Sequence, residues 1–285
     1  MKRLCIDKSI LKSMYLYKRH SQDEIGRRFN CSQWVISNRL RSLGIKTRLK
    51  TCNLVKRTYR YNNNFLKNIT PDIAWILGLL VSDGYVRKNN NSGYFGLRLK
   101  RSDEDVILKA KAILKYGGPI HRGTCRLEHK SIIKEFDFSI LQISDIKAVG
   151  ELEQIGIKQN KTRNEKFLEC IKETNNQEII SNFIRGVFDG DGSALFDHKR
   201  KSACFQIVGT CQLLQEIQNY LMSYCYLNKT KLTQNILGTN HYALRYRGNI
   251  QIIKILDWIY KYSNHSNRMD RKFGKYNEIR RIIAK

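Results

Sequence analysis

The chain has 285 residues, 41% of them hydrophobic, and 52 Lys and Arg against 25 Asp and Glu leave a formal charge of +27. That length and apolar content suffice for two or three small domains with real cores, and no apolar run approaches the roughly eighteen residues of a membrane helix. A balance this basic points to a polyanionic partner, most simply nucleic acid.

No apolar segment follows Met1–Asp7, so no secretory signal is expected. The eight cysteines contain no Cys-x-x-Cys. They read as reduced thiols of a cytoplasmic or organellar-matrix protein rather than as disulfides or a zinc site through His198, Cys204 and Cys211.

Residues 21–48 have the pattern of a helix-turn-helix. Ser21 and Glu24 form a capping box, Ile25 and Phe29 point inward, and Asn30-Cys31 makes the turn. Ser32 caps a second helix that buries Ile36, Leu40 and Leu43 and ends at Gly44. Ser32, Gln33, Ser37, Asn38 and Arg41 are of the types that hydrogen-bond base edges or phosphates in a major groove. The alternative is a small bundle with a solvated polar face. On this reading residues 1–50 are a DNA-binding domain, and the Lys-, Arg-, Asn- and Tyr-rich stretch 51–67 is a basic linker able to track a nucleic-acid backbone.

Thr70-Pro71-Asp72 then opens an apolar helix that runs through Ile76-Leu77-Gly78-Leu79-Leu80-Val81-Ser82 to Asp83-Gly84. The same pattern returns at Ile184-Arg185-Gly186-Val187-Phe188-Asp189-Gly190-Asp191-Gly192. Each helix carries a small residue every fourth position, Gly78 with Ser82 and Gly186 with Gly190, a stripe along which a second backbone can approach. Gly84 and Gly192 are expected as left-handed C-terminal stops.

After each Asp-Gly the chain alternates apolar with basic or amide residues, as a hairpin does when one face is packed. In the first copy strands fall before and after Asn89–Gly93, a helix runs from Ser102 to about Leu114, and a second strand pair ends near Ile143. A further helix then spans Ser144 to Ile155. The second copy retraces this order through a strand at His241–Arg247 and a helix from Asn249 to Tyr260. The fold class is therefore α+β, with two pseudo-symmetric αββαββα repeats at 68–172 and 173–285 and the helical domain ahead of them.

Parallel packing of the two motif helices would bring Asp83 and Asp191 together at C-termini that are already negative. Such a pair is tolerated mainly around a divalent cation, which implies a hard-metal site of oxygen ligands. A pair of aspartates that merely cap buried helices is the alternative, and two matched copies weigh against it.

In its two motifs the chain resembles the single-chain, two-motif LAGLIDADG homing endonucleases, of which residues 76–84 and 184–192 carry the signature. The resemblance implies antiparallel, saddle-like sheets on a DNA duplex and metal held by Asp83, Asp191 and the carbonyls of Ser82 and Gly190. Position six of the motif is Asp189 in the second copy and Val81 in the first. The metal implied is Mg²⁺, with Mn²⁺ or Ca²⁺ as substitutes for binding. A basic or amide side chain is implied beside each attacking water, and by position Lys100, Arg247 and Gln142 are the candidates; Ile143 occupies the place that symmetry would give to a partner of Arg247. Candidate DNA contacts are Arg87, Lys88, Arg98, Lys100, Arg101, Lys199, Arg200, Lys201, Gln206, Arg245 and Arg247.

The expected function is a monomeric, intron-homing type of nuclease that cuts double-stranded DNA at a long site. Diverged halves make that site asymmetric. Rival readings are a nuclease-inactive transcriptional regulator of the same fold or an RNA maturase. No phosphate-binding loop, nucleophile elbow or His-Glu-x-x-His occurs, and the C-terminal Ile283-Ala284-Lys285 lacks the His-Asn expected of an intein.

Overall fold

A computed structural model describes residues 6–18, 20–47, 59–129, 132–159, 164–235 and 238–284. The chain forms two compact units, Met1–Lys56 and Arg57–Lys285. None of the described helices is long and apolar enough to cross a membrane.

The first unit packs α1 (Lys8–Lys12), a wider-wound turn at Ser13–Tyr17, α2 (Gln22–Arg28) and α3 (Gln33–Ser42) around Leu11, Met14, Tyr15, Ile25, Ile36 and Leu40. The capping box forms as expected: Ser21 Oγ accepts from Glu24 N at 3.1 Å, and Ser21 N donates to Glu24 Oε2 at 2.7 Å. Ser32 stands at the N-cap of α3 but makes no side-chain cap bond. The helical turns before residue 21 have no counterpart in the sequence reading, although Leu11, Met14 and Tyr15 sit at helical spacing.

In the second unit the first repeat comprises α4 (Pro71–Ser82), β1 (Gly84–Asn89), β2 (Ser92–Lys100), α5 (Glu104–Ile113), β3 (His121–His129), β4 (Ile132–Ser144) and α6 (Ile146–Gln154). A short α7 (Glu169–Lys172) leads to the second repeat: α8 (Gln177–Asp191), β5 (Gly192–Asp197), β6 (Ser202–Gly209), α9 (Cys211–Cys225), β7 (Thr233–Gln234), β8 (Tyr242–Arg247) and α10 (Asn249–Lys261). The sheets run β1-β2-β4-β3 and β5-β6-β8-β7, matched strand for strand and antiparallel throughout. Among the described helices of this unit, α11 (Asp270–Ile283) falls outside the repeat pattern, as α7 does.

α4 is apolar all round and buried from Ile73 to Val81, as a helix must be when neighbours cover every side. Thr70 Oγ1 caps it on Ile73 N at 3.3 Å, and Asn176 Oδ1 caps α8 on Glu178 N at 2.9 Å. The two helices meet backbone to backbone. A β-carbon added to Gly78 would stand 2.2 Å from Phe183 O, and one added to Gly186 would stand 2.2 Å from Trp75 O.

Gly84 and Gly192 do not act as left-handed stops. Gly192 has φ −100°, and neither residue has positive φ. What excludes a side chain is the strand folding back over the helix it has just left: a β-carbon would lie 2.5 Å from Leu80 Cα at Gly84 and 2.6 Å from Phe188 O at Gly192.

Each sheet buries one face. Val86, Phe95, Leu97, Leu141 and Ile143 turn inward in the first, and Phe205, Ile207, Leu244 and Tyr246 in the second. Of the stretch read as a linker, residues 51–58 lie outside those described, and the rest packs. Phe65 is 1% exposed and stacks on Phe95 at 5.9 Å, while Tyr61 Oη donates to Asp145 Oδ2. Two aromatic rings in a polar, basic run were enough to anchor it.

Glu104, opening α5, accepts from Arg122 Nε at 2.7 Å and from Ser139 Oγ at 2.7 Å. Those bonds, Arg122 first, hold its carboxyl at about 2 against an ordinary 4.5. The folded value lies below the unfolded one. The stabilisation is therefore complete above about pH 4.5 and is lost as the pH falls toward 2. Thermal melts of Glu104→Gln should show lower stability at pH 7 and a flatter decline across that acid window than the parent.

Candidate active site

The ends of α4 and α8 lie side by side, so Asp83 and Asp191 close adjacent helices. A β-carbon on Gly190 would fall 2.1 Å from Ser82 Oγ and 3.0 Å from Asp83 Oδ2. The Asp83 carboxylate thus rests against the backbone of the residue preceding Asp191, and glycine there is what leaves it room.

A third group joins them. Lys272, on α11, sends its ammonium into the carbonyls at the end of α8, donating to Phe188 O at 2.6 Å, Asp189 O at 2.7 Å, Gly190 O at 3.2 Å and Gly192 O at 2.7 Å. These carbonyls cluster at the negative end of a helix dipole, and a cation there is stabilising. Burial pulls the ammonium down to about 8, opposed by the charges of Asp189, Asp83 and Asp191. Lys272 thus bonds the carbonyl of the same residue, Gly190, whose missing β-carbon makes room for the Asp83 carboxylate.

Asp189 plays a different part from Asp191 although it is two residues away. Its Oδ2 accepts from Trp75 Nε1 at 2.8 Å and from Met269 N at 3.0 Å, and it is 1% exposed. Its Oδ1 has no hydrogen-bond partner among the described residues, and burial raises the carboxyl to about 6. Beside it, the fully buried Arg185 donates to Ile259 O at 2.9 Å, to Asn267 Oδ1 at 2.8 Å and to Asn182 Oδ1, while Asn267 Nδ2 reaches Asp72 Oδ1 at 2.7 Å. Burial lowers that guanidinium to about 10. The sixth motif position is a structural tie in the second repeat, and Val81 leaves the first repeat without it.

No protein-family model and no curated protein matches this chain. Solved structures do. The homing endonuclease I-WcaI, bound to its DNA recognition sequence, has TM-score 0.49 and 11% identity over 73% of this chain and 87% of its own. The LAGLIDADG homing endonuclease I-GzeII, in complex with a DNA target, has TM-score 0.48 and 12% identity over 76% and 90%. Full-length DUF199/WhiA from Thermatoga maritima has TM-score 0.43 and 13% identity over 78% and 64%. The chain is similar to single-chain LAGLIDADG proteins.

Strand register moves several LAGLIDADG-type expectations. Gly84 pairs with Leu97 and Leu97 with Leu141, just as Gly192 pairs with Ile207 and Ile207 with Leu244. Gln142 and Arg245 are therefore equivalent, each in the first outward row after its aspartate. Tyr85 Oη donates to Gln142 Oε1 at 3.2 Å in one row, and Arg245 Nε to Gln206 Oε1 at 2.7 Å in the other. Arg247 corresponds to Ser144 rather than to Ile143. It lies four residues, about 13 Å, along β8 from the row that continues Asp191, so it does not join the aspartate pair. Lys100 projects from the outer face with its ammonium 5.5 Å from the Phe136 ring. Its register equivalent, Thr210, is buried as the cap of α9.

Of the candidate DNA contacts, Arg87, Arg98, Lys100, Gln206, Arg245 and Arg247 share the outer sheet faces, and the Arg98 guanidinium lies 4.0 Å from the Phe138 ring centre. Lys88 does not. The alternation turns it to the helix side, where its ammonium meets Glu153 of α6 at 2.5 Å. Arg101 leaves the sheet in a short helical turn, 3.5 Å from Glu104. Lys199, Arg200 and Lys201 form the β5–β6 turn. In the first unit Gln33, Ser37 and Arg41 line one open recess, and Arg41 Nη1 donates to Asn38 Oδ1 at 3.5 Å. Ser32 is exposed at the start of α3, next to Trp34, which is 71% exposed and has no role in the sequence reading.

Cys204 and Cys211 carry free thiols, and no cluster of three or more His, Cys, Asp or Glu side chains fit to hold a metal occurs among the described residues. Lys272 was the site residue that sequence reasoning missed. Its helix lies beyond the repeat and bears no motif, and only the spacing of Phe273, Tyr276 and Ile279 hints that α11 exists.

Proposed function

We propose that the protein is a divalent-metal-dependent endonuclease that cuts both strands of a long, asymmetric double-stranded DNA site. The observation that carries this is the meeting of Asp83 and Asp191 at the ends of two helices locked at Gly78 and Gly186, in a chain of charge +27. The donor set fits a hard cation. Magnesium is characteristically held by one or two carboxylates with the remaining positions filled by water and substrate phosphate, and the missing β-carbon of Gly190 leaves room for the Asp83 carboxylate beside it. Asp83 and Asp191, with the carbonyls of Ser82 and Gly190, would hold the metal. When bound, it supplies an activated water and neutralises charge on the phosphate and leaving oxygen.

The chain's own residues do the rest. Outward Arg87, Arg98, Lys100 and Arg247 bind and orient the duplex, most of their contacts being to phosphates. Lys272 fixes the carbonyl of Gly190 and keeps a positive charge at the end of α8, where anionic substrate must approach. Asp189 and Arg185 keep that helix end rigid. Incubation with a randomised DNA library and Mg²⁺ tests the proposal. Discrete double-strand cuts that vanish with chelator are expected, and binding without cutting overturns the nuclease.

That second outcome would favour a regulator, for which the polar face of α3 in a separately folded unit is the supporting feature. Removal of residues 1–56 should lower affinity for the selected site by about tenfold or more, since several phosphate and base contacts would go with it. Gel-shift titration against the full chain is the check; equal affinities would take DNA reading away from this unit.

Arg245 offers a sharper test of base recognition. Two of its five N–H groups are engaged, Nε by Gln206 and Nη2 by Asn235 Oδ1 at 3.2 Å. The paired edge of Nη1 and Nη2 remains, which suits O6 and N7 of guanine. In sites selected by Arg245→Ala, one guanine near the cut should lose its preference by about tenfold or more, while other positions stay as they were.

A further inference from the structure

We infer that α11 is a clasp between the repeats, and that its charged docking on α5 positions Lys272, making Asp103, Asp105 and Lys109 of the first repeat positioning residues for the reaction centre; the catalytic consequence rests on the nuclease reading above.

The seam along most of α11 faces the second repeat and is mainly apolar, with Asp257 of α10 accepting from Tyr276 Oη at 2.6 Å and lying 3.8 Å from Arg280 Nε. Tyr276 and Ile279 are buried, and Tyr260 of α10 packs on Phe273 and Tyr276 with ring centres 5.2 and 5.0 Å apart. The polar contacts of this seam, at Tyr276 and Arg280, lie a turn or more beyond Lys272 and leave the first turn to be placed by other means. A slip of one residue moves a side chain 1.5 Å along the axis and about 100° around it, enough to take Lys272 off the carbonyls of α8.

The first turn is bound differently. Arg271 grips Asp103 with two bonds, Nε to Oδ1 at 2.8 Å and Nη2 to Oδ2 at 3.1 Å. Lys109 lies between Asp270 at 2.7 Å and Asp105 at 3.1 Å and also donates to Arg268 O at 2.8 Å. Asp105 Oδ2 further accepts from Asp270 N at 3.1 Å. On the other side Met269 N is held by Asp189. Four consecutive residues, 268 to 271, are therefore pinned immediately before Lys272.

Asp103 and Lys109 are 8% and 9% exposed. Charges buried to that degree cost desolvation that a hydrophobic contact would avoid, so they are a poor source of net stability. Directional bonds at fixed points do set register, which an apolar seam cannot. Apart from the bond of Met269 to Asp189, they come from α5 and its N-cap residue Asp103, in the opposite repeat and with no part in the motif.

The test uses the full chain and two variants, Asp103→Asn and Arg271→Gln, each also combined with Lys272→Met. Amine labelling read by mass spectrometry should show Lys272 protected in the parent and labelled several-fold faster in both single variants, with Lys275 as the internal reference. Single-turnover cleavage should fall about 10- to 100-fold, the cost of a misplaced group, with DNA affinity unchanged. In the Lys272→Met background neither change should cost anything further, because both act through that lysine. Unchanged protection of Lys272, or the same cleavage loss with and without the lysine, overturns the inference. If the parent cuts no DNA but the variants expose Lys272, the clasp stands and the nuclease reading falls.

Discussion

Asp83→Asn or Asp191→Asn is expected to abolish double-strand cleavage while leaving DNA affinity within a few-fold of the parent. Asn keeps the shape and one acceptor oxygen but removes the charge that balances a divalent cation, and it leaves the outer sheet faces untouched. Loss of about 4 kcal/mol of transition-state stabilisation corresponds to about 10³-fold in rate. Each aspartate closes its own motif helix against the other, so neither should substitute for its partner. The check is plasmid cleavage in Mg²⁺ beside gel-shift affinity for the same DNA. Cutting retained by both variants would remove the metal pair from the mechanism, and affinity lost in proportion to cutting would make the aspartates structural.

Gly186→Ala should unfold the second unit or cost it about 3 kcal/mol or more, the upper range for overpacking. The added carbon would sit 2.2 Å from Trp75 O, 2.9 Å from Gly78 Cα and 3.0 Å from Leu79 N, all of them backbone atoms that cannot rotate away. Intrinsic helix propensity runs the other way, favouring Ala by up to about 1 kcal/mol. Gly274→Ala in α11, where a β-carbon meets nothing within 4 Å, supplies the contrast: it should be neutral or slightly stabilising. Urea unfolding of the two variants separates close approach from propensity, and equal midpoints would mean that the helices stand further apart than described.

The repeat itself was readable because both motif helices carry the same small-residue stripe and the same terminal Asp-Gly, and that pattern follows from two backbones in contact. The order of strands and helices followed from alternation and caps. Four things did not follow. The reason for Gly84 and Gly192 was misassigned, since a glycine demanded by a strand lying on its own helix looks the same in sequence as one demanded by left-handed backbone. Register was lost at Arg247 by one residue, Ser144 rather than Ile143 being its equivalent, because pairing depends on turns that differ between the repeats. Lys88 was placed on the wrong face by its neighbour Arg87, two cations in succession giving no sign of which one turns inward. Lys272 was invisible for another reason: its importance lies in where α11 docks, which is decided by Asp103, Asp105 and Lys109 more than 160 residues earlier in the chain.

The contact between Trp75 and Asp189 crosses from one repeat to the other, and the equivalent positions of the opposite repeats are the buried Phe183 and Val81. The polar tie exists once, and the opposite corner of the helix pair is greasy. Split into two polypeptides after residue 172, the parts would therefore not be interchangeable. A self-pair of the latter would bury two carboxylates with no indole to receive them, and a self-pair of the former would strand two indole N–H groups against valine. Co-expressed fragments are thereby steered toward mixed partnership rather than self-pairing.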